Sequence, residues 1–109
     1  MNVYELLVSA RNIYAERGGA KGELEKLDTG QVCGAGALNI AATGSAMWWP
    51  LVMSPQLAEE WVIANHLLNE LVGSKDGFGF SHFNDRQNVT KNDVLAMFDK
   101  AIAGLEEQA

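Results

Sequence analysis

No Asp, Glu, Lys or Arg occurs anywhere in residues 31–58, in a chain of which 20% is charged. A protein in water carries such a stretch only by burying it or by presenting part of it to a partner. The stretch contains the only cysteine, the small-residue run Cys33-Gly34-Ala35-Gly36-Ala37-Leu38 and the apolar cluster Ala46-Met47-Trp48-Trp49-Pro50-Leu51-Val52-Met53. Asn39, Thr43, Gly44, Ser45, Pro50, Ser54 and Pro55 interrupt it too often for a membrane-spanning helix, which needs roughly 18 consecutive apolar residues.

The remaining segments read as helices. Val3, Leu6, Leu7, Ala10, Ile13 and Tyr14 recur at three- and four-residue steps, which predicts an amphipathic helix over 2–17 capped by Asn2 and stopped by Gly18-Gly19. A turn-rich connection follows, with room for a short hairpin. A second helix is expected over about 32–43, where Gly34 and Gly36 call for close backbone approach by a neighbouring helix. Ser54-Pro55 is a strong helix start, with serine as cap and proline at the first helical position. That helix should run to about residue 72, bury Leu57, Trp61, Ala64, Leu67, Leu68 and Leu71, and end at Gly73. Residues 74–89 read as a glycine-rich loop whose Phe78, Phe80 and Phe83 fold back over the core. Thr90-Lys91-Asn92-Asp93 starts a last helix that buries Val94, Phe98, Ala101, Ile102 and Leu105. The expectation is an all-α fold: one domain over 1–109, a small bundle of about four helices, with a hairpin or irregular segment between the first two.

Composition narrows the function. A net charge of −6 with eight scattered basic residues disfavours direct nucleic-acid binding, which draws on clustered Lys and Arg. One cysteine forms no internal disulfide, which points to a reducing cytoplasm. Met1-Asn2-Val3-Tyr4-Glu5 lacks the basic region and apolar run of a secretory signal. No membrane association and no cofactor are expected. Two His and one Cys show none of the usual metal-ligand spacings, so no metal is expected either.

Two segments together resemble a known family: Gly22-Glu23-Leu24 leading to Cys33-Gly34-Ala35-Gly36-Ala37-Leu38, and Phe83-Asn84-Asp85 leading to Thr90 and the run from Val94 to Ile102. Their pattern is similar to a family of small uncharacterised proteins from actinobacteria and their phages, built around a Cys-x-x-Gly-Ala-Leu segment and an aromatic-Asn-Asp turn. The resemblance implies an actinobacterial or phage origin and no established activity. Family members often carry tryptophan where this chain has Phe83, and a Gly-Trp pair where it has Gly19-Ala20.

Two constellations carry chemistry. Cys33, at a helix start, could serve a cysteine-dependent hydrolase or transferase with His82 as base and Asp85 as its partner. Set against it, Cys33 falls on the buried side of its helix among small apolar residues, and His82 lies 49 positions away, which is no motif. Asn84 and Asp85 have a simpler role as an Asx turn that sets the approach to the last helix. His66 reads as a solvated histidine. The second constellation is Met47, Trp48, Trp49, Leu51 and Met53, in which two adjacent indoles do not easily share one small core, and tryptophan is enriched where interfaces draw their energy. The resulting expectation is a non-enzymatic acidic interaction protein that binds a host protein, or a second copy of itself, through this surface. A cysteine-dependent enzyme and an acidic nucleic-acid mimic are the alternatives.

Overall fold

Asn2 stands outside the first helix with extended backbone, and its side chain accepts a hydrogen bond from the Glu5 amide at 2.8 Å, so α1 runs Val3–Arg17. The computed structural model describes residues 2–47, 53–73 and 79–108. Helix α2 spans Gly34–Thr43, α3 Pro55–Leu71, α4 Gly79–Asp85 and α5 Lys91–Gln108. Ser54 caps α3 as expected, accepting from the Leu57 amide at 3.2 Å, with Pro55 in the first turn. Beyond α3, Gly73 adopts a φ of +78°, a left-handed conformation that reverses the chain without steric cost only for glycine. Thr90 and Asp93 form the reciprocal cap of α5: the Asp93 carboxylate accepts from the Thr90 amide at 2.8 Å, and the Thr90 hydroxyl accepts from the Asp93 amide at 3.2 Å.

One apolar core draws on all five helices. Leu6, Leu7, Ala10 and Tyr14 of α1 meet Ala37 and Leu38 of α2, Ala64 and Leu68 of α3, Phe80 of α4, and Val94, Phe98 and Ala101 of α5. Phe98 is its aromatic centre, with Phe80 edge-on at 5.3 Å and Tyr14 tilted at 6.0 Å, both favourable ring geometries. Helix α1 packs on α2, α5 and α3, while α4 bridges α3 and α2.

The structure departs from the sequence reading in three places, and of the two alternatives for the α1–α2 connection it shows the irregular segment. Residues 79–85 form a short helix inside the segment read as loop; Phe80 still plugs the core at 1% exposure, while Phe83 is half-buried. Between α1 and α2 the described residues hold no strand, only isolated bridges of Val32 to Gly18 and to Glu25. Leu71, expected inside, is 43% exposed, because it falls in the last turn of α3 where the bundle no longer covers it. The glycines of α2 do accommodate close approach, but the neighbours differ from the helix expected. A side chain on Gly36 would run into the backbone carbonyl of Leu24, and one on Gly34 would stand 2.6 Å from the Phe80 ring.

Candidate functional site

Cys33 occupies the N-cap of α2, where its thiol sulfur accepts the Gly36 amide at 3.2 Å and its own amide donates to the Leu24 carbonyl at 3.1 Å. The residue is 5% exposed and packs with Ala20, Ala35 and Leu24. Burial pushes the thiol up from its ordinary range; the Gly36 and Ala35 amides pull it back less strongly, and the nearby Asp85 carboxylate pushes it up again. A helix start would favour a thiolate, but here desolvation dominates and leaves a neutral thiol acting as a capping acceptor.

A small cavity of about 140 Å³ opens beside it, lined by Gly22, Glu23, Leu24, Cys33, Ser81 and Asp85. Two of the three candidate catalytic residues therefore meet. His82 does not line that cavity; its side of α4 is exposed. Asp85 serves the chain itself, since its carboxylate accepts from the Gly22 amide at 2.8 Å and from the Asn84 side-chain amide at 3.0 Å.

Asn84 corrects the local-turn reading. Its side chain is buried at 2% exposure, accepts from the Gly34 amide at 3.0 Å and donates to the Ala20 carbonyl at 3.0 Å. Because α4 continues through Asp85, both polar side chains are directed away from the local turn and bind the connection between α1 and α2. The approach to α5 is held from across the molecule by Lys21, whose ammonium donates to the carbonyls of Asn84, Arg86 and Val89 at 2.7, 2.6 and 2.9 Å. A cation at the C-terminal end of a helix also meets the negative pole of its dipole.

The apolar cluster is framed by a second buried amide. Asn39, 3% exposed, donates to the Ala46 carbonyl at 2.8 Å and accepts from the Trp61 indole N–H at 3.0 Å. The pinned chain then turns outward, leaving Met47 56% exposed, and Met53 is buried again at 8%. Trp48, Trp49 and Leu51 lie outside the described residues. On α3, Val62 and Ile63, the two residues after Trp61, are 57% and 42% exposed.

A third amide, Asn69, accepts from the Phe80 amide at 2.9 Å and so fixes the start of α4. Sequence reasoning passed over Asn69 and Lys21, and took Asn39 only as one of the residues that interrupt the charge-free stretch. The signal was present for the asparagines: each follows or sits within an apolar helical face, and a buried amide must find partners. Lys21, in a turn-rich segment, carries no such mark. His66 is exposed and its Nε2 lies 3.0 Å from a Glu70 carboxylate oxygen. Among the described residues, no group of three or more His, Cys, Asp or Glu is arranged to hold a metal, and no helix is long and apolar enough to cross a membrane.

These features define a small all-helical protein with a capping cysteine and connections tied by buried amides. The model of a family of unknown function, DUF6197, matches residues 1–104, and the chain belongs to that family. No curated protein and no solved structure matches it.

Proposed function

We propose that this chain is a non-enzymatic interaction protein that binds another protein through the apolar segment 47–53. The observation carrying this reading is the frame around that segment. Asn39 ties Ala46 and Trp61 together, and the residue that follows each of them, Met47 and Val62, is more than half exposed. Large apolar side chains displayed beside a rigid anchor present contact area at little ordering cost. The motif resemblance adds an actinobacterial or phage setting, in which the partner is a host protein and binding alters a host process by occupying a surface. Against thiol catalysis stand the burial of Cys33, the upward push on its thiol, and a neighbouring carboxylate where a base-activated thiolate would need a cation.

Affinity capture from a host lysate tests the reading, comparing wild type with Trp49→Ala and with Trp48 and Trp49 both changed to alanine. A buried tryptophan anchor is worth about 2 kcal/mol or more, roughly thirtyfold in affinity. The partner should be weakened by that factor in the single variant and lost in the double, with the helical circular dichroism signal intact. Capture undiminished in both variants would refute the interface.

A further inference from the structure

The chain from Ala20 to Leu24 lies against the start of α2, where Ala20 and Leu24 pack on Cys33 and the Leu24 carbonyl fills the space beside Gly36. Gly22, Glu23 and Leu24 form one wall of the cavity of about 140 Å³ beside the thiol, and Ser81 and Asp85 of α4 line it with them. Little apolar surface holds this segment down. Ala20 is buried and Leu24 partly so, while Lys21, Gly22 and Glu23 are exposed. Segments with few buried apolar contacts and exposed backbone are the ones that open locally, well before the whole chain unfolds.

What closes this segment on α4 is polar, and its strongest part is one charge. The Lys21 ammonium spends all three of its N–H bonds on the end of α4 and the turn after it, at 2.7, 2.6 and 2.9 Å from the carbonyls of Asn84, Arg86 and Val89. Beside it the Gly22 amide donates to the Asp85 carboxylate at 2.8 Å, and the Asn84 side chain donates to the Ala20 carbonyl at 3.0 Å. A hydrogen bond from a charged donor is roughly twice as strong as a neutral one, so loss of the ammonium removes the larger part of this hold at once. The attachments on the α2 side are different bonds: the Ala20 amide donates to the Val32 carbonyl at 3.2 Å, and the Cys33 amide to the Leu24 carbonyl at 3.1 Å. They involve neither Lys21 nor α4, so the segment keeps its ends on α2 when its contact with α4 is broken.

We infer that residues 20–24 are a strap over Cys33, with Lys21 as the latch that closes it on α4. Releasing the latch parts the strap from α4 and uncovers the thiol while the helices stay packed. This device does not depend on the function proposed for residues 47–53. Iodoacetamide labelling of Cys33 in the full chain, at urea concentrations below the unfolding transition, tests it beside global unfolding followed by circular dichroism. In wild type the labelling rate should rise with urea much less steeply than global unfolding does, since parting the strap exposes little surface. Lys21→Met keeps the apolar stem and removes the charge; it should label about tenfold faster or more, beyond what its change in global stability accounts for and with the helical signal intact. Arg11→Met, which removes an equal charge from the exposed pair with Asp99, should leave the rate unchanged. Loss of a positive charge disfavours the reactive thiolate, so faster labelling reports opening and not a more acidic thiol. Equal rates in the two variants would overturn the inference. So would wild-type labelling with the full urea dependence of global unfolding, a result that decides the matter alone if Lys21→Met fails to fold.

Discussion

Cys33 and Tyr14 sit on adjoining elements, and burial acts on both acids in the same direction. Tyr14, 2% exposed, is pushed up to about 12 from 10.0, chiefly by desolvation and secondarily by the Cys33 charge. Cys33 rises above 9.0 for the reason given above. Both groups bind their proton more tightly in the folded chain than in the unfolded one. Their contribution to stability is therefore complete below the unfolded values and is lost as pH climbs through the folded ones. Urea unfolding followed from pH 8 upward should show stability falling once pH passes about 9, steepening beyond 10, by up to about 1.4 kcal/mol per pH unit for each group titrating. Tyr14→Phe should flatten the fall above pH 10. Iodoacetamide labelling of native Cys33 near pH 7 should be much slower than that of the urea-unfolded chain. Rapid native labelling that collapses when His82 is replaced would instead identify an activated thiol. Asp93 shifts the opposite way, held below its usual range by the Thr90 amide and hydroxyl, so its capping contribution is present above the ordinary carboxylate range and fades as pH drops through the lowered value.

At the scale of an element, the glycines of α2 and α5 stand in opposite surroundings. Gly36 leaves room for the Leu24 carbonyl, part of a backbone that also receives the Cys33 amide, so Gly36→Ala must displace the α1–α2 connection. It should cost about 1–3 kcal/mol despite the better helix propensity of alanine. Gly104→Ala meets no atom of the described residues within 4 Å and should stabilise the fold by about 0.5–1 kcal/mol. Thermal or urea unfolding of the two variants checks the opposite signs; no loss at Gly36→Ala would contradict this account of α2, and a loss at Gly104→Ala that of α5. The same elements show how far the sequence could be read. The caps Asn2, Ser54 and Thr90 and the periodic apolar faces are local signals, and α1, α3 and α5 fall within a residue or two of the expected bounds, except that α5 reaches Gln108. Helix α4 escaped because two glycines, Gly77 and Gly79, precede its aromatic residues and local propensity there favours a loop; Asn69, distant in sequence, holds its first turn through the Phe80 amide. For the candidate site, the burial of Cys33 and its proximity to Asp85 followed from pattern only in part. The cavity between them depends on where α4 docks, which no local signal encodes.

Across the whole molecule, the core accounts for the helices and buried amides account for what joins them. Asn84 binds the α1–α2 connection, Asn39 the chain after α2, and Asn69 the start of α4, each at 5% exposure or less. Among the described residues, no buried side-chain nitrogen or oxygen lacks a partner. Neutral hydrogen bonds contribute modestly when formed, but removing one partner strands the other in a dry interior at about 1–3 kcal/mol per group. Asn39 also fixes the point at which the chain leaves the core at Met47. The most direct test is equilibrium urea unfolding of Asn84→Ala beside the exposed Asn88→Ala. Stranding the Gly34 amide and the Ala20 carbonyl should cost about 2–4 kcal/mol at position 84, against less than about 0.5 kcal/mol at position 88. Equal and negligible losses at the two positions would contradict the claim that buried amides hold the connections in place.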